Sequence, residues 1–88
     1  MKIEFLSIFS RDLDSINQKT IKSSLIKLIG QIEKSEKLND IPKIKKLVGH
    51  KSAYRIRIGD YRIGFFFEDQ KIIFARIIHR KDIYKLFP

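Results

Sequence analysis

The 88-residue sequence contains no cysteine, so a disulfide framework and a thiolate metal site are both excluded. No apolar run approaches the roughly 20 residues that a membrane-spanning helix needs. The N-terminal Met1-Lys2-Ile3-Glu4-Phe5-Leu6-Ser7 meets polar residues too early for a secretory signal, which makes the cytoplasm the expected location. Low-complexity tracts, internal repeats and Gly/Ser linkers are also missing, so residues 1–88 read as one domain. A chain of this size buries roughly 60–65% of its unfolded surface on folding, which allows one modest core. The two histidines, His50 and His79, lie far apart, with no HxH or HxxxH spacing and only scattered carboxylates, so neither a metal nor another cofactor is expected.

Acidic residues are scarce where basic ones are dense. Nineteen Lys and Arg face ten Asp and Glu, for a formal charge of +9. Residues 1–44 carry +2 of it and residues 45–88 carry +7, and every arginine except Arg11 lies in the second half. A concentrated positive field suits a polyanion, either nucleic acid or an acidic protein. A solvated, functionless surface accounts well for the lysines of the first half and poorly for the clustered arginines.

Hydrophobic spacing gives the order of elements. Lys2–Ile8 alternates as a short strand. Ser10 is a candidate N-cap for a short helix bearing Phe9, Leu13 and Ile16, and Asn17 for a longer one in which Ile21, Leu25, Leu28, Ile29 and Ile32 recur at helical spacing. The two helices are expected to form an antiparallel pair. Leu38-Asn39-Asp40-Ile41-Pro42 ends the second. From there the period is two: a brief strand at Lys45–Val48 closed by Gly49, then Ala53–Ile58, Tyr61–Glu68 and Lys71–His79. Gly59-Asp60, with glycine first, suits a type II′ hairpin turn, and Asp69-Gln70 makes the next turn. Lys71–His79 is apolar at nearly every position, as in a central strand. Lys81–Phe87 forms a short C-terminal helix if Tyr84 and Phe87 dock on the sheet. The expected fold is α+β, with two N-terminal helices on one face of a mainly antiparallel sheet of four to five strands. The other face is left to the arginines.

A two-residue loop pairs Ile58 with Tyr61, and so sets Arg57 opposite Arg62 and Arg55 opposite Gly64. Like charges facing each other across a ladder cost stability unless an anion or a carboxylate such as Glu68 or Asp60 lies between them. Arg76 and Arg80 belong to the next strand or its end, with His79 beside Arg80 and Tyr84 one helical turn on, so these groups are expected to converge at one end of the sheet. Guanidiniums are forks matched to phosphate oxygens and do not act as bases near neutral pH. A metal-independent RNA cleavage would have a 2′-OH attack the scissile phosphate while arginines stabilise the five-coordinate phosphorus and His79 moves protons. Tyr84 could equally be a docking residue. His50 is read as a loop residue.

The segment Tyr54-Arg55-Ile56-Arg57-Ile58-Gly59-Asp60-Tyr61-Arg62-Ile63, together with His79-Arg80-Lys81-Asp82-Ile83-Tyr84 and the lead-in Leu47-Val48-Gly49, resembles the RelE/ParE superfamily of type II toxins. The resemblance is strong over residues 47–84, and the order of elements before it agrees. In the RelE-like branch it implies a ribosome-dependent mRNA endonuclease neutralised by an antitoxin. On that analogy Arg62, Arg80, His79 and Tyr84 are catalytic, while Arg55, Arg57, Lys51 and Lys81 bind RNA phosphates. Arg55 and Arg57 stand where well-studied members carry lysines, which removes the easiest proton donors. The ParE-like branch, which poisons DNA gyrase, usually lacks the full basic and aromatic set, so Arg62, Arg80 and Tyr84 favour the nuclease. An inert remnant that only binds its antitoxin is the third reading. In each, a small acidic antitoxin would cover the basic groove and an apolar flank of Phe66, Ile78 and Phe87.

Overall fold

A computed structural model describes residues 1–88. The elements follow in the order β1 (Lys2–Phe5), α1 (Ser7–Asp14), α2 (Lys19–Lys34), a 3-10 turn (Leu38–Asp40), β2 (Ile44–Lys46), β3 (Ala53–Ile58), β4 (Tyr61–Glu68), β5 (Lys71–His79) and α3 (Ile83–Leu86). Five strands make one sheet in the order β1-β5-β4-β3-β2. Strands β2 to β5 form an antiparallel meander, and β1 returns alongside β5 in parallel, Lys2 facing Lys71 and Phe5 facing Phe74.

One face of the sheet is covered by the two long helices. Phe9 and Ile16 from the α1 region and Ile21, Leu25, Leu28 and Ile32 from α2 meet Ile56, Ile58, Ile63, Phe65, Ile72, Phe74 and Ile77 in the main core. The helical spacing of the α2 residues and the twofold spacing along β3 and β4 bring these groups to a common layer. The free ammonium of Met1 donates to the carbonyls of Ile32, Glu33 and Ser35, and so satisfies the C-terminal end of α2.

The opposite face is not wholly open. The C-terminal segment folds across it, and Leu47, Ala53, Ala75, Ile78, Ile83 and Phe87 form a second, smaller core with Phe66 at its margin. Gly64 makes this possible: a Cβ there would stand 2.5 Å from the Phe87 ring. The flank of Phe66, Ile78 and Phe87 expected to receive an antitoxin is therefore internal packing; Ile78 is 8% and Phe87 3% exposed.

Several boundaries differ from the sequence expectations. The first strand ends at Phe5 rather than Ile8, because the Leu6 N–H makes a bond to the Phe74 carbonyl (3.0 Å) and the chain then turns into α1. Leu6, extended, takes the N-cap position, and Ser10 lies inside the helix. Gln18, not Asn17, precedes α2, and neither helix has a side-chain cap. The brief strand is Ile44–Lys46 rather than Lys45–Val48.

Candidate functional site

The β3–β4 hairpin has the expected register: Ile58 faces Tyr61, Arg57 faces Arg62 and Arg55 faces Gly64. Gly59 adopts φ +59° while Asp60 stays at negative φ, as a type II′ turn requires. The three arginines thus project from the face opposite the helices, Arg57 exposed and Arg55 and Arg62 half-buried. The Arg80 N–H donates to the Asp60 carbonyl at 2.8 Å, which ties the end of β5 to the hairpin turn and brings a fourth guanidinium alongside.

Nη1 of Arg62 donates to the carbonyls of Gly59 (3.0 Å) and Tyr61 (2.8 Å), so its guanidinium is fixed over its own turn. Burial, and then the positive charges of Arg55, Arg57 and Arg80, hold it below its ordinary pKa. Nε of Arg55 donates to the Tyr84 hydroxyl at 3.2 Å. That hydrogen bond, with the charges of Arg55, Lys45 and Arg62, draws the Tyr84 phenol below its ordinary value against an opposing contribution from burial. Every charge felt strongly by Arg62, apart from Tyr84, is another arginine. No carboxylate neutralises the group: the two ion pairs of the molecule are Lys71–Glu4 and Arg76–Asp12. Four guanidiniums and a phenol are thus gathered on one side with no counter-charge, and guanidinium forks match the oxygens of a phosphate.

Lys45 belongs to the site and was not foreseen. It faces Arg55 across β2 and β3, and that pairing is the signal from which it could have been found. Beyond Tyr84 lies a hollow of about 340 Å³ lined by Lys45, Lys46, Leu47, Val48, His50, Tyr84, Phe87 and Pro88. A neighbouring depression takes in Lys51, in the loop before β3. Lys81 is exposed just after Arg80.

Two expected members are not with the others. Arg76 is turned away, its Nε and Nη2 bonded to the Asp12 carboxylate on α1 at 2.8 and 3.1 Å. His79 faces Tyr61 in the ladder and meets its ring edge-on at 5.6 Å between centroids, on the helix-covered face. Its Nδ1 accepts the Lys81 N–H at 3.2 Å, so the neutral ring carries its proton on Nε2. A bulge in β5, where Phe65 faces Phe74 while Gly64 faces Arg76, turns His79 to the helix-covered face, whereas Arg76 is drawn off by Asp12. No group of three or more His, Asp or Glu side chains is placed to hold a metal ion.

A mixed, mainly antiparallel five-stranded sheet backed by helices, with an unneutralised arginine cluster on its other face, defines a small basic α+β protein. The family model described as the ParE toxin of the type II toxin–antitoxin system parDE matches residues 3–84. Toxin RelE3 of Methanocaldococcus jannaschii is 40% identical over 89 residues, covering 100% of both chains. The chain is also similar to the crystal structure of a RelB–RelE antitoxin–toxin complex from Methanococcus jannaschii, with TM-score 0.83 and 38% identity over 97% of this chain and 99% of that one. The YoeB dimer from Staphylococcus aureus has the same fold, with TM-score 0.73 at 23% identity over 91% of this chain and 97% of that one. The chain belongs to the RelE/ParE superfamily of toxins of type II toxin–antitoxin systems.

Proposed function

We propose that this toxin is a ribosome-dependent mRNA endonuclease of the RelE type, acting in the cytoplasm and held inactive by a cognate antitoxin. The observation that carries the reading is the gathering of Arg55, Arg57, Arg62, Arg80 and Tyr84 on one sheet face with no carboxylate among them. Arg62 and Arg80 would stabilise the charge that builds on the phosphorus as a neighbouring 2′-OH attacks, and Arg55 and Arg57 would hold the flanking phosphates, with Lys51 and Lys81 further out. Tyr84 stands among these arginines and is the first candidate to move a proton; His79, at the same end of the sheet but on its other face, is the second.

The antitoxin reading is supported by the RelB–RelE complexes, in which relatives of the same fold are paired with antitoxins. A net charge of +9 calls for an acidic partner. Primer extension on translated message tests the activity. Wild type is expected to cut, Arg62→Ala to cut at least 100-fold more slowly in the manner of a lost oxyanion donor (about 2.7–4 kcal/mol), and uncut message with wild type would remove the reading. Tyr84→Phe compared with His79→Ala assigns the proton step.

DNA gyrase is the second candidate target, because the matching family model is that of ParE. Cleavage complexes and lost supercoiling in a purified gyrase assay would favour it. Growth arrest on induction, relieved by co-expression of an antitoxin, separates both from an inert remnant.

A further inference from the structure

The β4–β5 ladder changes register midway. From Phe65 to Glu68 the partners run Phe74 to Lys71, whereas from Tyr61 to Gly64 they run His79 to Arg76, and Ala75 is the additional residue. A bulge of this kind changes which side of the sheet every later residue takes. Were the first register continued, Arg76 would face Ile63, which is fully buried, and its guanidinium would enter the helix-covered core at a cost of several kcal/mol. Arg80 would point to the helix side as well. With the bulge, Ile78 and then Arg80 take the side of Arg57 and Arg62, and Arg80 closes on the hairpin turn through Asp60.

A single carboxylate is bonded at the bulge. Strand β1 ends opposite Phe74, so past that point β5 has a bare edge along which α1 runs. Asp12 reaches that edge. Its Oδ2 accepts both Nε of Arg76 (2.8 Å) and the main-chain N–H of Ile77 (3.1 Å), and its Oδ1 accepts Nη2 of Arg76 (3.1 Å). The pair is about four-fifths buried, with side chains 16% and 21% exposed. One acid on the first helix therefore binds the side chain of Arg76, just past the bulge, and the backbone N–H of the residue after it.

We infer that Asp12 is a positioning residue for the anion site: by clamping the β5 bulge through Arg76 and the Ile77 N–H, it puts Arg80 on the arginine face. The inference rests on the RNA-binding reading of that face, not on cleavage. Removing an acidic group from a chain of charge +9 strengthens RNA binding if only long-range electrostatics act, whereas loss of positioning weakens it.

The experiment measures binding of a 2′-O-methyl single-stranded RNA oligonucleotide, which cannot be cut, to wild type, Asp12→Ala, Arg80→Ala and the double variant across a salt series. Asp12→Ala is expected to weaken binding about as much as Arg80→Ala, roughly threefold or more, with the slope of log K against log salt falling by about 0.7. The double variant should bind no more weakly than Arg80→Ala alone, since both changes remove one contact. Asp12→Asn, which keeps an acceptor for the Ile77 N–H, should lose less, and serves if Asp12→Ala does not fold. Cross-strand nuclear Overhauser contacts read the register directly, Tyr61 opposite His79 when the clamp holds. Binding by the Asp12 variants equal to or tighter than wild type, losses that multiply in the double variant, or a wild type without affinity for the oligonucleotide would overturn the inference. Oligonucleotide binding with the expected cycle, but translated message left uncut, would remove the nuclease and leave the clamp standing.

Discussion

At the scale of single residues, the site is a set of unmet charges. Arg57 and Arg62 face each other, and nothing acidic separates them. Replacing exposed Arg57 with threonine, which suits a strand, should therefore stabilise the free protein by about 0.2–1 kcal/mol while weakening its hold on RNA; urea unfolding beside oligonucleotide binding checks both signs. Tyr84 offers a pH signature. Its phenol titrates below the ordinary tyrosine value because Arg55 donates to it. Between the folded and the unfolded value the unfolded chain binds more protons, so this interaction adds stability as pH rises through the folded value and is complete above the unfolded one. Phenolate absorbance against pH should show one tyrosine titrating early, lost in Tyr84→Phe and returned toward ordinary behaviour in Arg55→Ala.

At the scale of elements, legibility followed local chemistry. Gly59-Asp60 dictates its turn, the turn dictates the register, and the register puts Arg55, Arg57 and Arg62 on one face. Strand β5 was opaque for the opposite reason. A segment apolar at nearly every position has no alternation to reveal a bulge, so His79 was expected beside the arginines when the bulge turns it to the helix side, and Arg76 when Asp12, 64 residues before it, holds its guanidinium. The start of α1 was hidden because Ile3, Phe5 and Ser7 continue the strand pattern past the point where Leu6 leaves the sheet. The β4–β5 turn is a weak point of another kind. Asp69 and Gln70 both adopt left-handed conformations, at φ +51° and +62°. Such backbone costs an ordinary side chain roughly 1–2 kcal/mol, so Gln70→Gly should raise the unfolding free energy by about 1 kcal/mol after the entropy of glycine is counted. A shift in the urea midpoint at constant slope would show it.

At the scale of the whole molecule, the two faces divide the work. The helices bury the large core, and the C-terminal segment covers part of the other face, leaving the basic patch between its edge and the β3–β4 turn. The charge imbalance that marked the second half of the sequence is thereby concentrated on one side of a domain with a radius of gyration of 12.0 Å. Filling the patch with an anion should stabilise the fold by mass action, about 1.4 kcal/mol at ten times the dissociation constant. Inorganic phosphate should accordingly raise the melting temperature more than chloride at equal ionic strength, and that surplus should shrink in Arg62→Ala.

The parallel seating of β1 against β5 also sets an order of assembly. Lys2 through Phe5 have no strand to join until residues 71–74 exist, and Asp12 has no partner until Arg76 does. A chain still emerging from the ribosome that makes it holds its first strand, its clamp and its last arginine apart, and closure of this long-range pairing comes late. The arginine face that β5 helps to build is therefore completed together with the β1–β5 seam, from segments about 70 residues apart in the chain.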